Sequence, residues 1–68
     1  MLRDYLKELR KTNNMTQADV ATAIGIGSST YTMIESGERQ KDMNISLAQK
    51  LADVFEVPIE FILENERK

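Results

Sequence analysis

The chain has 68 residues, 41% of them hydrophobic, a formal net charge of −2, and neither cysteine nor histidine. That length fits one globular domain and leaves no room for a second functional module. The missing cysteines exclude disulfide stapling and fit a reducing compartment, so a cytoplasmic protein of modest stability is expected. There is no apolar run of about 18 residues and no secretory pattern at the start, so neither a membrane association nor export is expected. Acid and base are unevenly placed. Residues 1–41 carry Arg3, Lys7, Arg10, Lys11, Arg39 and Lys41 against five acids, whereas residues 42–68 carry three bases against six acids. A polyanion would meet the N-terminal two-thirds, although an ordinary solvated surface explains so small an asymmetry about as well.

Five short helices are predicted, in an all-α fold. Leu2, Tyr5, Leu6 and Leu9 recur at helical spacing and place helix one over residues 2–11, after which Thr12, Asn13 and Asn14 break it. Thr16 followed three residues later by Asp19 forms a capping box with the shorter acid. Val20, Ala21 and Ile24 then give helix two its apolar face, and Gly25 ends it. Helix three begins near Ser28, turns Tyr31 and Ile34 inward, and stops at Gly37 in the left-handed conformation. Residues 38–44 are polar and read as loop. Ser46 with Gln49 reads as a second capping box, followed by Leu47, Leu51, Val54 and Phe55 on one face of helix four. Pro58 biases Val57 away from helix yet suits a helix start, so residues 59–65 form helix five.

The most informative segment is residues 17–37. Ala21 is small where helix three presses on helix two, Gly25 can take the positive φ that a tight inter-helix turn needs, and Val20, Ile24, Ile26, Tyr31 and Ile34 form an apolar seam. Thr16-Gln17, Ala21, Gly25, Ile34-Glu35 and Gly37 stand together in a register that resembles the Xre-type, lambda-repressor-like helix-turn-helix family. The likeness extends over nearly the whole chain, through helix one, helix four and the stretch from Val57 to Phe61. It implies a five-helix domain that binds double-stranded DNA as a transcriptional regulator, expected to be a repressor, with helix three in the major groove and helix two across the backbone.

A helical wheel agrees with that placement. At about 100° per residue, Ser28, Thr32, Ser36, Ser29 and Met33 fall within an arc of roughly 140°, opposite Ile34 and Tyr31. Ser28, Ser29, Thr32, Met33 and Ser36 are therefore the candidate base-facing residues. They are short, hydroxyl-rich and uncharged, which suits direct hydrogen bonds and thymine-methyl contact more than arginine forks on guanine. The family more often carries longer polar or basic side chains here. Met33 is alternatively an adaptable residue at the core edge, and Ser28 or Ser29 a cap. Gln17, first in helix two, has a family counterpart that binds DNA, and Arg39 and Lys41 are candidate phosphate contacts on the following loop. The family also pairs an arginine of helix one with the glutamate of helix three, here Arg10 and Glu35, to orient the recognition helix.

Other functional classes fare less well. Without histidine or cysteine no serine or threonine has an obvious activating base, the acids are dispersed, and no cofactor, metal or small-molecule ligand is implied. A protein-interaction module on the same scaffold, such as an antitoxin or anti-repressor, is the alternative, favoured somewhat by the weakly basic recognition surface. A single recognition helix reads too few base pairs to stand out from a genome, so a homodimer is expected. Phe61, Ile62 and Leu63 are consecutive apolar residues that one helix face cannot all bury; they are the expected dimer contact, with one or two turned outward. The alternative packs Phe61 and Ile62 into the core and leaves Leu63 exposed.

Overall fold

The computed structural model describes residues 3–38 and 43–67. Leu2, Arg39 and Lys41, on which expectations above rest, lie outside the described residues. Within them are five helices, α1 (Asp4–Thr12), α2 (Gln17–Ile24), α3 (Ser28–Ser36), α4 (Ile45–Phe55) and α5 (Ile59–Glu66), with no strand among the described residues. No helix among them is long and apolar enough to cross a membrane.

Local chemistry sets the boundaries of α2 and α3. The Thr16 hydroxyl accepts from the Asp19 backbone N–H at 3.1 Å, and the Asp19 carboxylate accepts from the Thr16 backbone N–H at 2.8 Å, closing the capping box. Gly25 at φ 79° and Gly37 at φ 87° end the two helices in the left-handed conformation. The residue after each glycine donates back into the last turn, Ile26 to the Ala21 carbonyl and Glu38 to the Met33 carbonyl, each at 2.9 Å.

The start of α4 and the end of α1, which runs through Thr12 rather than breaking there, are set differently from the sequence reading. The cap of α4 is Asn44, whose side chain accepts from the Leu47 backbone N–H at 2.7 Å; Ser46 lies inside the helix and Gln49 donates to Asp53 at 2.9 Å. Asparagine caps as well as serine does, and starting at Ile45 aligns Ala48, Leu51, Ala52 and Phe55 toward the core. At its other end α4 closes on Glu56, a non-glycine residue with φ 55°.

The core joins all five helices: Leu6 from α1, Val20, Ala21 and Ile24 from α2, Tyr31 and Ile34 from α3, Ala48, Leu51, Ala52 and Phe55 from α4, and Ile62 from α5. α3 is held between α2 and α1, while α4 bridges α2 and α5. Burying each large aliphatic or aromatic side chain contributes roughly 1.5 to 3 kcal/mol, which is what makes this chain fold despite its length. Ile62 is fully buried, which removes it from the expected dimer contact; Phe61 is 41% exposed and Leu63 half-buried. α5 turns one residue of the trio into the core because α4 is its main packing surface.

Candidate nucleic-acid interface

α3 presents Ser28, Ser29 and Thr32 to solvent, with Met33 and Ser36 half-buried at its margins, while Tyr31 and Ile34 are in the core. Neither Ser28 nor Ser29 caps the helix: Gly27 is the N-cap and makes no side-chain hydrogen bond, so both serines sit in the first turn with exposed side chains. The Ser36 hydroxyl donates to the Met33 carbonyl at 3.0 Å.

Beneath this face a polar relay crosses three helices. The Arg10 guanidinium grips the Glu35 carboxylate through Nε at 3.0 Å and Nη2 at 3.2 Å, and its Nη1 donates to the Met15 carbonyl at 3.2 Å. The side chains of this pair are 13% and 8% exposed. Gln17 donates its Nε2 to Glu35 Oε1 at 3.2 Å, and the Thr32 hydroxyl donates to Gln17 Oε1 at 2.9 Å. The structure thus joins the Arg10–Glu35 pair to Gln17 and Thr32, which the sequence marks separately as DNA-facing candidates. Gln17 stands first in α2, and its half-buried side chain is turned along the helix-turn-helix rather than outward.

Electrostatically the relay favours an ionised Glu35. Burial pushes its carboxyl up, but the Arg10 guanidinium, with the Tyr31 hydroxyl and Gln17 amide beside it, outweighs burial and holds it below its ordinary value. The Tyr31 hydroxyl is buried without a hydrogen bond of regular geometry among the described groups, and burial together with the adjacent carboxylate pushes it far above its usual range.

A second ion pair escaped the sequence reading. Arg3 donates Nε and Nη2 to Glu66 at 2.8 and 3.0 Å, and its Nη1 to the Ile34 carbonyl at 2.5 Å, while its backbone N–H reaches the Glu35 carbonyl at 2.9 Å. Tyr5 also donates to Glu66. The last turn of α3 is therefore tied to both ends of the described chain. Lys7, exposed on α1, borders a cleft of about 220 Å³ together with Arg3, Asp4, Arg10, Gln17, Thr32, Glu35 and Ser36. The signal is in the spacing, since Arg3, Lys7 and Arg10 stand at i, i+4 and i+7, which puts the N-cap residue of α1 and two residues within it on one side. A more open groove of about 610 Å³ runs past Thr16, Gln17, Ala18, Ser28 and Thr32, where the starts of α2 and α3 converge.

Two short helices crossing at a glycine turn, the second with one face in the core and the other free, define a helix-turn-helix of the DNA-binding type. Residues 6–62 match the helix-turn-helix family, and the chain belongs to it, in its Xre-like branch. Among its relatives is an uncharacterized HTH-type transcriptional regulator of Methanocaldococcus jannaschii, 37% identical over 67 residues, which cover 96% of this chain and 98% of that protein. Another, from Archaeoglobus fulgidus, is 36% identical over 67 residues, 96% of this chain and 92% of that one. The HTH-type regulator YqaF of Bacillus subtilis is 44% identical over 46 residues, 68% of this chain and 60% of the relative. No solved structure matches the chain significantly. Membership of this family of transcription regulators, which is not an enzyme family, implies binding to double-stranded DNA.

Proposed function

We propose that the whole chain works as one domain, a sequence-specific repressor that binds a near-palindromic site as a homodimer and lays α3 in the major groove. The observation that carries this reading is the exposed Ser28, Ser29 and Thr32 face, backed by the Arg10–Glu35–Gln17–Thr32 relay that fixes it relative to α1 and α2. Ser28, Ser29, Thr32, Met33 and Ser36 meet base edges. The start of α2 at Gln17, together with Lys7, Arg39 and Lys41, meets phosphates. Cations are few and the net charge is −2, so the electrostatic share of affinity is modest.

Selection of bound fragments from genomic DNA, followed by titration at several salt concentrations, tests this. Each neutralised phosphate contributes about 0.9 to the slope of log K against log salt, and about three to five phosphates per protomer are expected. Measurable binding with a slope near zero removes the docking. No enrichment of any double-stranded fragment removes the reading, and favours the antitoxin or anti-repressor use of the same scaffold.

A further inference from the structure

Resting on that reading, we infer that Thr32 meets DNA as a hydrogen-bond acceptor only, so that the base beneath it carries an exocyclic amino group, adenine N6 or cytosine N4. The reasoning starts at a group far from the groove. The guanidinium of Arg10 has donors and no acceptor, and the ionised Glu35 that it grips has acceptors and no donor. Gln17, 3.2 Å from Glu35 Oε1, must therefore turn its NH₂ toward the carboxylate, since its carbonyl oxygen there would face another acceptor. That choice leaves Gln17 Oε1 facing Thr32 at 2.9 Å, where only the threonine hydroxyl can supply the proton.

The Thr32 hydroxyl has a second internal acceptor, the Ser28 carbonyl, also at 2.9 Å. One proton thus serves two acceptors. What remains for an exposed Thr32 to offer a partner is lone pairs and a methyl group. In the major groove guanine O6 and N7 and thymine O4 are acceptors, and so are phosphate oxygens. Adenine N6 and cytosine N4 are the donors. Meeting an acceptor would require Thr32 to abandon both internal bonds and leave Gln17 Oε1 unpaired in a half-buried site. Gln17 is accordingly a positioning residue, and the orientation it passes on is set by the Arg10–Glu35 pair.

The test compares wild type, Thr32→Val and Thr32→Ser in selection from randomised duplex DNA, with circular dichroism to confirm that the variants fold. In wild type and Thr32→Ser, one base pair per half-site should be selected that Thr32→Val no longer selects, while the other positions keep their preference. Replacing the selected adenine by purine, or cytosine by 2-pyrimidinone, deletes the amino group alone. It should weaken wild type about five-fold, the size of one neutral hydrogen bond, and leave Thr32→Val unchanged. Sequence-specific binding in which Thr32→Val alters no position, or in which deleting the amino group at the altered base pair leaves wild type unweakened or weakens Thr32→Val equally, overturns the inference and leaves the DNA-binding reading standing. A wild type that enriches no sequence overturns both.

Discussion

Glu35 has several neighbours at once, and removing any of them has an effect that can be assigned. Its pairing with Arg10 lies between two regimes: an exposed ion pair contributes about 0 to 1 kcal/mol, whereas breaking a fully buried one costs about 3 to 5. With side chains 13% and 8% exposed but the guanidinium edge still reached by water, Arg10→Met should cost about 2 kcal/mol. Glu35→Gln should cost a similar amount, and urea unfolding of the double variant should reveal strong coupling. If both single changes cost under about 0.5 kcal/mol, the pair behaves as a surface one.

The pH dependence has a defined sign. Glu35 is held below its ordinary value of 4.5, so the stability it contributes is fully present above about that pH and is lost as pH falls through the lower folded value. Asp19, held down by the Thr16 backbone N–H and hydroxyl, acts in the same direction. Unfolding midpoints followed from pH 7 to pH 3 should fall in acid, and less steeply in Glu35→Gln. A midpoint that rises below pH 4.5 contradicts the assignment.

The relay was half legible at this scale. Arg10 and Glu35 stood out through a family pattern, and Gln17 and Thr32 as separate DNA-facing candidates. Their union was not readable, because it depends on which way a glutamine amide turns between side chains distant in sequence.

Helix ends are where the elements differ in how well residue type matches conformation. Gly25 occupies the left-handed region at φ 79°, and a Cβ built there meets nothing within 4 Å, so Gly25→Ala is penalised by backbone conformation alone. A cost of about 1 to 2 kcal/mol is expected, with Gly25→Asn milder. Glu56 is the converse case, a side chain held at φ 55° at the end of α4. Glu56→Gly should stabilise the protein by about 0.5 to 1 kcal/mol, the relieved strain exceeding the added unfolded-state entropy. Thermal unfolding of the two variants should move in opposite directions; a destabilised Glu56→Gly would mean that the Glu56 side chain makes a compensating contact. The difference also explains why the sequence marked the end of α2 and missed the residue that ends α4. Glycine announces a left-handed cap, and glutamate does not.

Taken whole, the folded protein measures about 25 × 24 × 20 Å, and α3, the helix proposed to enter the groove, has nine residues. Such a helix is roughly 13 Å long, which spans about four base-pair steps. Two copies side by side suit the separation of about 34 Å between major-groove faces one turn apart. With Ile62 in the core, the proposed contact narrows to Phe61, exposed on α5, and the half-buried Leu63. Phe61→Glu and Leu63→Glu should each weaken binding to a two-half-site operator by about tenfold or more, without loss of helicity, since an aromatic anchor commonly contributes over 1 kcal/mol. Light scattering at tens of micromolar, with and without operator, checks this. A wild type that stays monomeric on DNA bearing both half-sites defeats the homodimer, and variants that dimerise as well as wild type defeat this choice of residues.

Local residue pattern was enough for the five helices, the Thr16–Asp19 box, the stops at Gly25 and Gly37, and the division of α3 into a core arc and a free arc. Each of these rests on residues within a few positions of one another, where helical geometry leaves little choice. Tertiary structure decided the rest. It buried Ile62 rather than its neighbours, capped α4 with Asn44 and turned Ala48, Leu51 and Phe55 into the core, and turned Gln17 between Glu35 and Thr32. It also tied Arg3 to Glu66, 63 positions away. No local pattern carries such pairings, because they exist only once separate helices have packed and the polar groups trapped between them must find partners.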